Sequence, residues 1–297
     1  YREKLGCICH TGYNVDSFGH NGNLPQLLTL AGMSGYVMMR PSEKENPDMP
    51  KGCFLWEGVD GTRIPTFRIP HAYCGTGAEW LEGELASAQA MIQDGPDDAM
   101  LFYGVGNHGG GPTRFDIEYL KKLPGMAQGQ LEFSSPDSFF RRIRQQDAAA
   151  LPVWTGELQH HASGCYSAMS TIKALNRRAE NRLTEAETWD TLTALALSRS
   201  PSTRQVAEAW KTVCFNQFHD ILCGCSIMEA YDDAAYAMGS ALNTAACIQN
   251  RALLRLARSI DTWIDGVSDP VCTEVRHLSG HGFPVPVVVF NPLSWDV

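Results

Sequence analysis

The chain has 297 residues, 44% hydrophobic and 19% charged, an ordinary balance for a globular protein and long enough for more than one core. Its formal net charge of -9, with no lysine or arginine block, lacks the electrostatic footprint of a partner for nucleic acid or an anionic membrane surface. The longest apolar run near the end, 285–290, is interrupted by Pro286 and is far too short to span a bilayer.

From Leu5 to about Asp147 short apolar runs alternate with helical segments, the pattern of βα units around a parallel sheet. "KLGCICHT" reads as the first strand. A helix follows, with Asn23 as a cap, Pro25 in its first turn and the run "LLTLAG" ending at Gly32. "GYVMM" is the second strand, "IPTFRIP" the third, "GELASAQAMIQ" a helix, and "AMLFYGV" a fourth strand closed by a glycine-rich turn. The helix "RFDIEYLKKL" comes next, then "GQLEFSS" as a fifth strand, and Ser135 with Pro136 opens the helix "DSFFRRIRQQ".

After about Leu151 the period changes. Ile172, Leu175, Ala179, Leu183, Ala186, Trp189, Leu192 and Ala196 recur at steps of three and four, which predicts one long amphipathic helix. Val206, Trp210 and Val213 mark a second helix, and Tyr231, Met238, Leu242, Ala245, Leu253, Leu256 and Ile260 a third, so this part resembles a helical bundle. The last stretch, "FPVPVVVFNPLSWDV", is strand-rich. The opening "YREKLGCICHTGY" begins at Tyr1 without the apolar core of a signal peptide, so the chain reads as an internal piece. The ten cysteines show no paired C-x-x-C zinc pattern and are expected to be mostly buried thiols of a reducing compartment, the cytoplasm.

In βα folds the loops after the carboxyl ends of the strands build the site. Asp16 and His20 follow the first predicted strand, Arg40 ends the second, His71 ends the third, and Asn107 with His108 follow the fourth. Glu157, His160 and His161 open the helical part, and Tyr166 and Lys173 lie just beyond; a site role and a polar domain junction both remain open for these five.

"NVDSFGHNGNLPQLL", with Arg40 at the next strand end, resembles the nucleophile loop of the glycoside hydrolase family 38 α-mannosidases, and "CFNQFHDILCGCS" resembles that family's later metal-binding segment. "IPHAYCG", "YGVGNHGGGPT" and "GELQHHASGCYS" are similar to stretches of its bacterial and cytosolic branch, so the resemblance runs over nearly the whole chain. It implies an α/β fold: the C-terminal part of a seven-stranded (β/α) catalytic barrel over 1–150, a three-helix bundle contributing to the active site over 151–265, and the first strands of a truncated β-sandwich domain over 266–297.

The same resemblance implies a zinc-dependent retaining α-mannosidase. Asp16 would be the nucleophile of a covalent mannosyl-enzyme intermediate and would also touch the zinc, with His219 as a second zinc ligand. Asp220 would grip sugar hydroxyls, Phe18 would form part of the sugar wall, Arg40 would hydrogen-bond the nucleophile or sugar, and His71 would be a further substrate contact. The chemistry is coherent, because a retaining glycosidase needs an ionised carboxylate at the anomeric carbon and imidazole nitrogen suits zinc. The family also takes a His and an Asp from an H-x-D motif ahead of the nucleophile loop. No such motif precedes Asp16, which reads as truncation, so this piece alone is expected to hold metal poorly or not at all.

The acid/base is the departure from the pattern. A retaining mechanism needs a second group about 5 to 5.5 Å from the nucleophile. Relatives place an aspartate in a strand-end turn of the form G-D; here Asn107 stands in that neighbourhood, and its amide yields no proton at any useful pH. His108 beside it can titrate. Three readings stay open: His108 shuttles the proton, an aspartate elsewhere does so, or the protein is a carbohydrate-binding relative that turns nothing over. A different barrel hydrolase, such as a metal-dependent deacetylase, is the remaining alternative. The expected partner is an α-mannoside or oligosaccharide, with no nucleic acid and no membrane, and a homo-oligomer is left open.

Overall fold

The structure is a computed structural model that describes residues 5–94, 96–106, 109–146, 150–159, 161–262, 287–293 and 295. It divides into two compact units, Tyr1–Cys165 and Tyr166–Val297.

The first unit is built on one sheet of β1 (Thr11–Asn14), β2 (Gly35–Met38), β3 (Gly52–Glu57), β4 (Arg63–Arg68) and β5 (Val153–Thr155), in the order β1-β2-β4-β3-β5. β1, β2 and β4 are parallel neighbours, with Thr11 opposite Gly35 and Tyr36 opposite Thr66. β3 runs antiparallel to β4 with Cys53 opposite Phe67, and β5 runs parallel to β3. The sheet is therefore mixed where the sequence pattern predicts a parallel one. The cause is the turn after Glu57: Gly58 N–H donates to the Thr62 carbonyl at 2.8 Å, Asp60 accepts from Thr62 N–H at 3.1 Å, and Gly61 adopts φ 81°. A turn this short can only return the chain antiparallel, since a parallel return needs a crossover of a dozen residues or more.

β2 is buried along its whole length because both faces of the sheet are covered. Its alternate side chains sort cleanly. Val37 and Met39 join Phe67, Ile69, Phe139, Phe140 and Ile143 on one face, while Tyr36 and Met38 join Phe54, Trp56, Ile64 and Leu158 on the other. A side chain on Gly35 would start 2.3 Å from the Phe140 ring, so glycine here lets the covering helix approach the strand.

The helices of this unit are α1 (Leu24–Leu30), α2 (Ala78–Asp94), α3 (Arg114–Lys121), α4 (Pro124–Ala127) and α5 (Pro136–Gln145). Thr113 caps α3 in a reciprocal box with Asp116, and Ser135 caps α5 by accepting from Ser138 N–H. Asn23 occupies the cap position of α1 without a side-chain cap bond; its own N–H donates to Asn21 at 2.9 Å.

Three strand expectations need correction. The first strand starts at Thr11, the last residue of the predicted run. In 99–105 the only pairing among the described residues is an isolated bridge of Gly104 with Gly75; Phe102 packs beside Tyr13 and Phe67, so the apolar pattern serves the core without a ladder. In 129–135 the N–H groups of Gln130 and Leu131 both donate to the Gly125 carbonyl, a helix-end turn that consumes the groups a strand would use.

The second unit consists of α6 (Ser170–Ala196), α7 (Thr203–Asn216), the one-turn α8 (His219–Leu222) and α9 (Met228–Ala257). Ala179, Leu183 and Ala186 of α6, Val206, Ala209 and Val213 of α7, and Met238, Ala241, Ala245 and Ile248 of α9 form one buried cluster. These positions repeat at three and four residues, and the alanines let the helices approach closely. The long helices match the predicted period within a few residues at each end. Within the strand-rich stretch the described residues, 287–293 and 295, form no strand, which corrects the expectation for them; most of 266–297 lies outside the described residues.

Among the described cysteines only Cys53 is buried, while Cys7, Cys9, Cys214, Cys225 and Cys247 are exposed, which corrects the expectation of mostly buried thiols. Among the described residues no helix is long and apolar enough to cross a membrane.

Candidate active site

Asp16 lies in the loop after β1 and is drawn to the end of β2. The Arg40 Nε–H donates to Asp16 Oδ1 at 2.7 Å and Arg40 Nη2 lies 2.6 Å from the same oxygen, in a mostly buried ion pair. Charge-assisted bonds of this kind are short and directional, and they fix one carboxylate oxygen. The other oxygen, Oδ2, faces the Tyr73 hydroxyl at 3.4 Å, a longer and weaker contact. Burial, and then the charge of Asp16, push the Tyr73 hydroxyl above the usual tyrosine range, so it stays protonated and able to donate.

Phe18 closes one side of this loop. Its ring lies 5.7 Å from the Arg40 guanidinium carbon and stacks on His161, with centroids 5.4 Å apart at 27°. Glu45 accepts from His161 Nδ1 and from the Ser42 main-chain N–H. Burial pushes the Glu45 carboxyl up, but the bonds from Ser42 and His161 outweigh it and hold it below the usual range. The loop carrying Glu45 is itself pinned by Arg68, a buried guanidinium that donates to the carbonyls of Pro41 (3.1 Å), Met49 (2.9 Å) and Asn46 (3.1 Å). His20, at the far end of the Asp16 loop, is buried between Tyr36, Trp56 and the main chain of Arg40.

The structure thus brings Asp16, Phe18 and Arg40 together as the sequence suggests. Tyr73, Glu45 and Arg68 escape the sequence reading. Tyr73 carries the one usable signal, since it stands two residues beyond His71 at the same strand end. His161 now has a partner in Phe18. His71 turns elsewhere: its Nδ1 bonds to the buried Glu84 at 2.7 Å, and its half-exposed ring lines an open cavity of about 830 Å³ with Cys53, Phe67, Met91 and Leu151. Asn107, His108 and His160 lie outside the described residues.

In the helical unit His219 and Asp220 open α8, and the short helix is tied down at several points. The Lys173 ammonium donates to the Leu222 carbonyl at 2.8 Å and to the Ala168 carbonyl. The Asp220 carbonyl accepts from Cys225 N–H at 3.2 Å and from the Tyr231 hydroxyl at 3.4 Å. Gln217 bridges to Asn176 and Glu180 of α6. Gly224 takes φ 84°, and a side chain there would start 2.8 Å from Ala168. His219 Nε2 lies 3.4 Å from Asp220 Oδ1.

Carboxylate and imidazole are both zinc-type donors, but a zinc site takes three or four protein donors. Among the described residues no group of three or more His, Cys, Asp or Glu is placed to hold a metal. The described residues therefore do not by themselves fit a zinc ion.

Residues 1–157 match the glycosyl hydrolases family 38 N-terminal domain, and residues 160–256 match the alpha mannosidase middle domain. The chain belongs to glycosyl hydrolase family 38. It is 31% identical over 237 residues to Alpha-mannosidase G of Dictyostelium discoideum, covering 78% of this chain and 21% of that protein. It is 29% identical over 248 residues to Alpha-mannosidase 2C1 of Mus musculus, covering 79% and 23%. The chain thus spans about a fifth of the length of these curated relatives. The crystal structure of an alpha-mannosidase from Enterococcus faecalis shares its fold, with a TM-score of 0.72 at 23% identity, over 88% of this chain and 31% of that one.

Proposed function

We propose that the protein containing this chain is a retaining α-mannosidase that hydrolyses terminal α-mannosides of glycans or glycoconjugates. The observation that supports it best is the Asp16 carboxylate, held through Oδ1 by Arg40 with Oδ2 in the looser contact with Tyr73. In this reading Oδ2 attacks the anomeric carbon. The C–O bond to the leaving group breaks as the new ester bond forms, and the leaving oxygen takes a proton from the acid/base. Water then attacks the same carbon, returns a proton to the acid/base, and frees Asp16 as carboxylate. His108 is proposed for the acid/base, because the Asn107 amide beside it has no proton to give. Phe18, Arg40 and Asp220 are proposed as substrate contacts; His71, engaged by Glu84, is not.

Zinc is proposed as the cofactor on the family resemblance, with Asp16 and His219 as two donors and the others outside the described residues. The (β/α) barrel over 1–150, the bundle over 151–265, the β domain over 266–297, the cytoplasmic location and a homo-oligomeric state belong to the same reading.

The test is an aryl α-mannoside assay on the full-length protein purified with zinc, with metal content measured in parallel for His219→Ala. Wild type should turn over, and Asp16→Ala should lose about a thousandfold or more in kcat, as expected when a covalent nucleophile is removed. Mannoside binding without turnover in wild type would instead mark a carbohydrate-binding relative, and acetate release from an acetylated sugar would mark a deacetylase.

A further inference from the structure

We infer that His20 is a positioning residue of this site, a neutral imidazole that fixes the main chain of Arg40 and through it the guanidinium that holds Asp16. The inference rests on the reading of Asp16 as the nucleophile. His20 is 2% exposed, and its main chain is anchored by two bonds exchanged with Leu158, each 2.8 Å. The rings of Tyr36 and Trp56 meet it edge-on, at 83° and 88°, and set the plane of the imidazole.

The neighbours also set its tautomer. Nε2 lies 2.9 Å from the Arg40 carbonyl, which can only accept, so Nε2 carries the hydrogen. Nδ1 then presents a lone pair, and the Tyr36 hydroxyl donates to it at 2.8 Å. Both ring nitrogens are satisfied with the ring uncharged. Burial reinforces this by lowering the His20 pKa to about 4, so the ring is neutral at physiological pH.

The consequence lies in the spacing. Asp16 and His20 share one short loop, and both grip residue 40: Asp16 takes the guanidinium and His20 the carbonyl. A side chain as long as arginine places its head accurately only when its root is fixed, and a displacement near 1 Å at a reacting group costs on the order of a hundredfold in rate. The loop that carries the nucleophile therefore also fixes the root of the side chain that aims it.

The experiment compares His20→Leu, His20→Gln and Tyr36→Phe in the full-length protein, with kcat and KM for an aryl α-mannoside normalised to folded protein. The glutamine amide reaches the Nε2 position and keeps the N–H donor, whereas leucine removes it. His20→Leu should lower kcat by about 10- to 100-fold with KM changed less than about threefold, and His20→Gln should recover most of the loss. A second readout is independent of turnover. The Arg40 Nε–H resonance in a 1H–15N spectrum should be downfield and slow to exchange in wild type and His20→Gln, and should merge with the solvent-exposed arginines in His20→Leu. Folded His20→Leu with wild-type kcat and an unchanged Arg40 Nε–H signal would overturn the inference. Where His20→Leu does not fold, Tyr36→Phe decides: it should broaden or shift the Arg40 signal, and an unchanged signal with unchanged kcat refutes the role. A wild type that turns nothing over defeats the mannosidase reading alone, because the Arg40 signal still reports the brace.

Discussion

Asp16 and Arg40 stand at the ends of neighbouring parallel strands, whereas His219 and Asp220 stand on a one-turn helix between two long ones. In the sheet unit the site is held by side chains reaching across strand ends: guanidinium to carboxylate, imidazole to carbonyl, imidazole to ring. In the helical unit the α8 turn is held mainly through its main chain, with Lys173, Cys225 and Tyr231 all engaging carbonyls of the turn. Neighbouring parallel strands in register bring Asp16 and Arg40 to one edge of the sheet, and the Asp16 loop turns at Gly19, φ 125°. A turn between helices has no such register and needs its carbonyls capped and a glycine in the left-handed region.

The comparison predicts where each unit is vulnerable. The largest effect is expected in the helical core, where Leu183 is fully buried among Ala179, Val213 and Met238. Leu183→Ala should cost about 2–5 kcal/mol, seen as faster hydrogen exchange across α6 and α9 with β2 and β4 little changed. Equal acceleration in both units would show that they do not behave separately.

Acid should strike the sheet unit next. His20 titrates near 6.5 when unfolded but at about 4 when folded, so between those values the unfolded chain binds more protons. Stability then falls as pH drops through that window, by up to about 3 kcal/mol. Urea midpoints measured from pH 7 to pH 4 should show this loss, with a flatter profile in His20→Gln.

A smaller loss is expected at the α8 turn. Gly224→Ala puts a side chain at φ 84° and against Ala168, and should cost about 1–3 kcal/mol by thermal unfolding, together with altered shifts for His219. The smallest is the α3 cap, where Thr113→Ala should cost about 1 kcal/mol by the same measurement and leave the Asp16 loop unaffected.

How far the sequence could be read depended on what each pattern encodes. The α6, α7 and α9 helices were legible because Ala179, Leu183 and Ala186 repeat at helical steps over a long span. β2 and β4 were legible as apolar runs. β3 was missed because "GCFLWE" is a short run whose partner is fixed by the turn after it, and "AMLFYGV" was misread because an apolar run reports burial without reporting pairing. Within the site, Asp16 and Arg40 followed from the rule that strand ends carry function. Glu45 and Arg68 did not, because their role lies in holding a loop, and nothing in their local spacing marks which carbonyl or ring they will meet.

Arg68 has one more consequence. Its N–H groups are directed at the carbonyls of Pro41, Asn46 and Met49, and amide oxygens do not titrate in the range where carboxylates do. The stretch from Pro41 to Met49 is thus moored by a fastening indifferent to acidity, while the link it offers outward, from Glu45 to His161, loosens once that carboxylate takes a proton. Acid would thus act on this stretch through the Glu45–His161 link and leave the Arg68 mooring in place.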